Sequence, residues 1–138
     1  MESFPGLVEV DQESLQTSLR VTKDAFLVII KSLKEEWGFD FLADLTAVDT
    51  KENFLGIYHL MSWDSGEMVG VTVEIPRENP RIPSLVGLWE AAEVQERESY
   101  DMFGIVYEGH PNLKRIFLDD DFPGYPLRKD FQMPNRIR

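Results

Sequence analysis

Glu93, Arg97 and Asp101 recur every four residues within the segment Glu93 to Gly104. On a helix that spacing places one arginine between two carboxylates. An exposed pair of this kind contributes only about 0.2–0.5 kcal/mol. Two readings follow: a solvated ladder of ion pairs, or a buried or interfacial network in which Arg97 sets the geometry. The same segment offers Glu96 and Glu98 as an acid/base pair for proton transfer. Residues two apart do not face one another on a helix, which argues against joint action. His110 stands between Gly109 and Pro111, a setting for a hydrogen-bonding turn residue, and no Cys or His neighbours it to complete a metal site. His59 is expected to oppose Val71 across a hairpin, as a neutral core histidine. Asp119-Asp120-Asp121 lacks the ligand spacing of a calcium loop and reads as a solvated acidic turn.

The last distinctive cluster is Phe122 to Phe131. Pro123 and Pro126 stiffen it, and aromatic residues flank Arg128-Lys129-Asp130. A stiff segment with aromatic and arginine anchors loses little entropy on docking, so it suits protein binding. Folding back onto its own domain is the alternative, and the two are compatible.

Composition removes other chemistries. The 138 residues contain no cysteine, which excludes disulfides and thiolate-bound iron–sulfur clusters. Two histidines are too few for an intrinsic zinc or haem site to be expected. There is no glycine-rich phosphate loop, dinucleotide fingerprint or G-x-S-x-G motif, and no basic aromatic platform for single strands. The formal net charge of −11 repels nucleic acid and anionic lipid. It is unevenly spread: residues 1–113 carry a net −13, and residues 114–138 a net +2. No apolar run approaches the roughly 20 residues of a membrane span, the longest being Ala25 to Ile30. Met1-Glu2-Ser3-Phe4-Pro5 lacks the pattern of a secretory signal. A soluble chain that can sit on a membrane complex is expected.

These candidates need elements to position them. Leu7 to Val10 reads as a short strand. A helix is expected from Lys23 to Trp37, with Thr22 as N-cap, Gly38 as stop, and Phe26, Ile30, Leu33 and Trp37 on one stripe. Phe39 to Ala47 reads as a strand with Phe39, Phe41, Ala43 and Leu45 on one side. A hairpin follows: Phe54 to Trp63, the turn Asp64-Ser65-Gly66, then Glu67 to Ile75 with Val69, Val71, Val73 and Ile75 facing one way. Pro76, Pro80 and Pro83 open a loop. A short helix after Pro83 turns Leu85, Leu88 and Trp89 inward, and a second helix runs from Ala92 to Phe103, ending at Gly104. Beyond Gly109 the glycines and prolines leave room only for a brief strand at Arg115 to Leu118. The order predicts an α+β fold: a mixed sheet with helices packed on one face and an extended, irregular C-terminal arm. The expected division is a core at 1–108 and a docking arm at 109–138, ordered by a partner protein.

Three blocks closely resemble the signature of the thirty-kilodalton subunit family of respiratory complex I, the C subunit of NADH–quinone oxidoreductase. They are Glu96 to Ile105, Glu108 to Ile116 and Gly124 to Phe131. The first, with Gln95, is also similar to the plastid and cyanobacterial J subunit. Weaker echoes lie at Asp44 to Asp49, Tyr58-His59-Leu60 and Pro83-Ser84-Leu85. Val94 and Phe122 stand where many members carry tryptophan. The resemblance implies a scaffold subunit without a cofactor of its own, in a peripheral arm on the cytoplasmic side of the membrane. Iron–sulfur clusters, quinone, FMN and NADH would belong to other subunits. It implies docking on the forty-nine-kilodalton-type D subunit, near the twenty-kilodalton-type B subunit, in a translocase that passes electrons to quinone. The residues it assigns to signature and interface are Glu96, Arg97, Glu98, Tyr100, Asp101, Phe103, Gly104, Gly109, His110, Pro111, Leu113, Arg115, Gly124, Pro126, Leu127, Arg128, Lys129 and Asp130. The alternative is the same scaffold in a membrane-bound hydrogenase or a ferredoxin- or formate-linked complex. A free-standing enzyme using Glu96, Glu98 and His110 is the rival of a different class.

Overall fold

The structure is a computed structural model and describes residues 7–13 and 16–132. The last residues of the expected arm, 133–138, lie outside the described residues. Its elements are β1 (Leu7–Glu13), β2 (Gln16–Val21), α1 (Phe26–Glu35), β3 (Phe41–Asp49), β4 (Asn53–Met61), β5 (Met68–Pro76), β6 (Arg81–Pro83), α2 (Ala92–Phe103) and β7 (Val106–Glu108). Five strands form one sheet in the order β1-β2-β5-β4-β3. β2 runs parallel to β5 and the other pairs are antiparallel, so the sheet is mixed and the fold is α+β. β6 and β7 make a separate parallel pair.

Alternation decides which face is covered. On β4, Phe54, Tyr58 and Leu60 are fully buried while their neighbours are only half-buried. The buried face of β5 carries Val69, Val71, Val73 and Ile75, as the period-two pattern predicts. Both helices lie on that face. Phe26 of α1 packs 4.8 Å from Tyr58, and Phe103 of α2 meets Phe54 edge-on at 5.9 Å between ring centres. Phe26, Ile29, Ile30 and Leu33 of α1 are all sealed from solvent.

Several local expectations are corrected. The first helix is shorter than predicted, and its stripe turns through Ile29, leaving Trp37 about half exposed. Thr22 accepts the Ala25 N–H at 3.4 Å but stands outside the N-cap, which is Ala25. Gly38, at φ +79°, ends the helix as expected. In β3 a register shift between Leu42 and Asp44 changes the phase of the strand. Leu42, Leu45, Ala47 and Asp49 therefore face inward, and Phe41 and Ala43 face out. A bulge adds one residue and flips everything beyond it. The freed Leu45 N–H donates to Gln95 Oε1 of α2 at 2.8 Å.

The hairpin register also differs by one residue. Ser62 N–H donates to Glu67 O, so four residues, Trp63 to Gly66, make the turn. Tyr58 therefore opposes Val71, and His59 opposes Gly70 on the other face. His59 is no core histidine: it is partly exposed and lies 2.7 Å from Asp44. After Pro83 there is a single turn through Leu85 to Trp89 rather than a helix, although Leu85 and Trp89 do point inward. The Leu88 and Trp89 N–H groups both donate to Leu85 O within the turn, while the Leu85 N–H goes to Glu96 and that of Val86 to Ser84 Oγ. The strand Gln16–Val21, which the sequence did not lead us to expect, alternates Ser18 and Arg20 outward with Leu19 and Val21 inward. The strand expected at Leu7 to Val10 falls within β1, which is longer.

Candidate docking interface

α2 carries the signature residues on two opposed sides. Ala92, Glu96, Ser99 and Phe103 are buried against the domain. Glu96 is fully buried; its carboxylate accepts from Ser84 Oγ at 2.6 Å and from the Leu85 N–H at 2.7 Å. Burial raises its pKa above the ordinary glutamate value, and the Leu85 and Ser84 hydrogen bonds draw it partly back. Ser99 Oγ accepts from the Tyr107 hydroxyl at 2.8 Å. Glu98, by contrast, lines a cleft of about 320 Å³ between α2 and β3, together with Gln95, Phe117 and Leu127. Glu96 is thus occupied by the 84–86 turn and Glu98 faces another side, an arrangement unlike a catalytic pair.

Arg97 does bridge toward Glu93, with Nη1 3.5 Å from Glu93 Oε2, while its Nε donates to Lys114 O at 3.2 Å. Asp101 serves the arm instead. Its Oδ2 accepts the consecutive N–H groups of Ile116, Phe117 and Leu118 at 3.1, 2.7 and 3.2 Å. That carboxylate replaces the expected strand at 115–118: with its N–H groups gathered on one oxygen, the segment curls around α2. Arg115 Nε lies 3.5 Å from Asp101 Oδ1, and the arginine side chain is only 7% exposed. Arg115 Nη2 also donates to Gly124 O at 2.5 Å and the group sits 4.7 Å from the Tyr125 ring centre.

The arm then closes the C-terminal end of α2, where backbone carbonyls lack helical partners. Leu127 N–H donates to Met102 O at 3.0 Å, and Arg128 Nε to Phe103 O at 2.7 Å. A cation there also suits the negative end of the helix dipole. Gly104 makes this approach feasible. It adopts φ +80°, and a Cβ on it would stand 2.8 Å from Tyr125 and 2.9 Å from Arg128. Arg128 is sandwiched between rings, 5.0 Å from Tyr125 and 5.2 Å from Phe54. Tyr125 in turn lies 6.2 Å from Tyr100.

Farther along, Lys129 N–H donates to Asp49 Oδ2 at 2.7 Å. Asp49 is 3% exposed at the end of β3. It also binds Arg77 and accepts the Lys51 N–H at 2.7 Å. The Arg77 hydrogen bond holds its carboxyl well below the usual carboxylate range; burial opposes this, and the Lys129 and Lys51 N–H groups add to the lowering. Arg77 Nη2 reaches Asp130 at 3.2 Å. His110 is a turn residue as expected: Nδ1 accepts the Asn112 N–H at 2.9 Å, so Nε2 donates to Glu93 O at 3.0 Å. Gly109, at φ +89°, begins that turn, Pro111 follows it, and Leu113 packs half-buried on the core. Pro126 lies half-buried between Tyr125 and the exposed Leu127.

Of the anchors not named as site residues, Asp49, Gln95 and Tyr125 lie within the matching blocks and Arg77 lies outside them. Asp49 ends one of the weaker matching blocks and shares the inward side of β3 with Leu45 and Ala47. No group of three or more His, Cys, Asp or Glu side chains among the described residues is placed to hold a metal ion. No helix among them is long and apolar enough to cross a membrane.

Known proteins share this architecture. The profile of the family described as "Respiratory-chain NADH dehydrogenase, 30 Kd subunit" matches residues 19–136. The C subunit of the NADH-quinone oxidoreductase of Moorella thermoacetica is 48% identical over 132 residues, covering 94% of this chain and 88% of that one. Its counterpart in Citrifermentans bemidjiense is 40% identical over 136 residues, covering 95% and 84%. Among solved structures, the trypsin-resistant fragment of Nqo5 superposes with a TM-score of 0.70 at 35% identity, covering 78% of this chain and 90% of the fragment. A chain of the membrane-bound sulfane sulfur reductase, an archaeal respiratory membrane complex, gives a TM-score of 0.81 at 31% identity, covering 96% and 81%. With the signature blocks wound around α2 and relatives matched over nearly their whole length, this chain belongs to the thirty-kilodalton subunit family of respiratory-chain NADH dehydrogenase and is part of a multi-subunit NADH–quinone oxidoreductase.

Proposed function

We propose that the chain is a cofactor-free scaffold of the peripheral arm of its complex, on the cytoplasmic side of the membrane. In this reading it docks on the forty-nine-kilodalton-type D subunit, near the twenty-kilodalton-type B subunit. It supports electron transfer to quinone, coupled to ion translocation, while the clusters, FMN and quinone sit on other subunits. The absence of cysteine from the sequence agrees with that division of labour.

One observation carries the docking reading. The arm is pinned from within by Asp101, Arg115, Arg128 and Asp49, yet Phe117 and Leu127 stay 64% and 56% exposed beside the same cleft. Large apolar side chains held out on a fixed backbone are ready-made anchors, since little entropy remains to be lost. The signature residues 109–130 then have two tasks. The charged ones order the arm, and the exposed ones meet the partner. Phe117→Asp and Leu127→Asp, each at a solvent-facing position, should leave thermal stability unchanged and abolish co-purification with those two subunits. Assembly at wild-type level in both variants would remove the arm from the interface.

A further inference from the structure

A second feature of the arm points outward. Lys51, Arg77, Lys129 and Asp130 line a pocket of about 260 Å³. Three segments meet there: the turn after β3, the end of β5 and the arm. The guanidinium of Arg77 is shared between Asp49 beneath it and Asp130, whose side chain is 71% exposed. Among the described residues, neither lysine ammonium has an ion-pair partner. Three basic residues thus meet on a chain whose formal net charge is −11, and the one carboxylate lining the pocket is the exposed Asp130.

Lys51 is held in place at a cost. It is the one non-glycine residue with positive φ among those described, at +79°, a region that β-carbon sterics disfavour. Its N–H bond to Asp49 and the paired hydrogen bonds of Thr50 and Asn53 hold that conformation. The same Asp49 fixes the Lys129 backbone. One buried carboxylate thus binds the Arg77 guanidinium and the backbones of both lysines, bringing the three basic residues to one pocket.

We infer that this pocket receives an Asp or Glu side chain of a neighbouring subunit, its carboxylate bridging Lys51 and Lys129 and competing with Asp130 for Arg77. The inference rests on the docking reading above and extends that surface past Leu127. The four lining residues include no aromatic side chain to stack on a nucleotide base, which leaves charge complementarity to a carboxylate as the basis of recognition.

The test uses the assembled complex purified through a tag on this chain. A water-soluble carbodiimide activates a carboxylate, and a touching lysine then attacks it, forming an amide and releasing the reagent as its urea. The expected product joins Lys51 or Lys129 to an Asp or Glu of another subunit, identified by mass spectrometry. Lys51→Gln with Lys129→Gln should weaken association about tenfold at low salt, with the difference shrinking as salt screens it. Lys31→Gln, an equal change per site on the exposed side of α1, should not. If the complex assembles normally, these lysines couple only within their own chain and the double variant matches the control, the inference is overturned while the docking reading stands. A chain that co-purifies with no other subunit overturns both.

Discussion

Asp101 and Arg115 face each other in the interior, with the carboxylate fully buried and the arginine side chain 7% exposed. Their 3.5 Å approach is an ion pair without a hydrogen bond, since Asp101 Oδ1 has none; Oδ2 is occupied by three backbone N–H groups. The carboxylate therefore performs two tasks, balancing a buried cation and folding the start of the arm. Removing one member of a buried pair leaves the other charge uncompensated, which costs about 3–5 kcal/mol.

Asp101→Ala should accordingly lower the unfolding free energy by about 3–5 kcal/mol, read by urea denaturation. Adding Arg115→Met should recover part of that loss, because the stranded charge is gone. Strict additivity of the two changes would show that the residues are not coupled.

Gly104→Ala meets two penalties at once. A left-handed backbone costs a non-glycine residue about 1–2 kcal/mol, and the new methyl presses on Tyr125 and Arg128. Loss of at least about 1 kcal/mol is expected, with faster tryptic cleavage at Arg128 and Lys129 as the arm lifts. Cleavage at the wild-type rate would mean that the arm has moved aside without detaching.

Acid should loosen the arm through Asp49. Its folded pKa lies below the unfolded value of about 3.9, so between the two the unfolded chain binds the extra proton. The stabilisation is complete above about pH 4 and is lost as pH falls through the lowered folded value. Asp49→Asn should be less stable than wild type at neutral pH, with the gap narrowing below about pH 4. A gap independent of pH down to acid unfolding would contradict the assignment.

Lys51→Gly should leave stability unchanged or raise it by up to about 1 kcal/mol, relief of the left-handed strain being set against the greater chain entropy of glycine. Thermal unfolding reads this directly. A marked loss of stability would mean that the lysine side chain supports the fold.

The main outline was legible because the period-two runs of β4 and β5 and the apolar stripe of α1 are local patterns. Part of what escaped the sequence turns on single-residue offsets, besides the strand Gln16–Val21. The β3 bulge turned Phe41 and Ala43 out and Leu42 in, and one extra residue in the β4–β5 turn moved His59 off the core face. No propensity signals either. The arm posed a different difficulty. Arg115, Gly124 and Arg128 were recognisable as a motif, but their partners are backbone carbonyls and aromatic faces distant in sequence. The exposed Phe117 had no pattern to mark it, since its orientation follows from Asp101 collecting three adjacent N–H groups.

Gln95 has a consequence for how anything can attach to the sheet. β3 is an outer strand, and an uncovered outer strand invites further strands to pair with it, whether from a partner or from another copy of the chain. By placing its amide oxygen on the Leu45 N–H, Gln95 interrupts the row of groups that such a strand would need, and α2 stands alongside. Growth of the sheet past β3 is hindered at that point. Contacts on this flank must then be made by side chains, whose shapes discriminate between partners, rather than by a ladder of main-chain bonds that accepts almost any sequence.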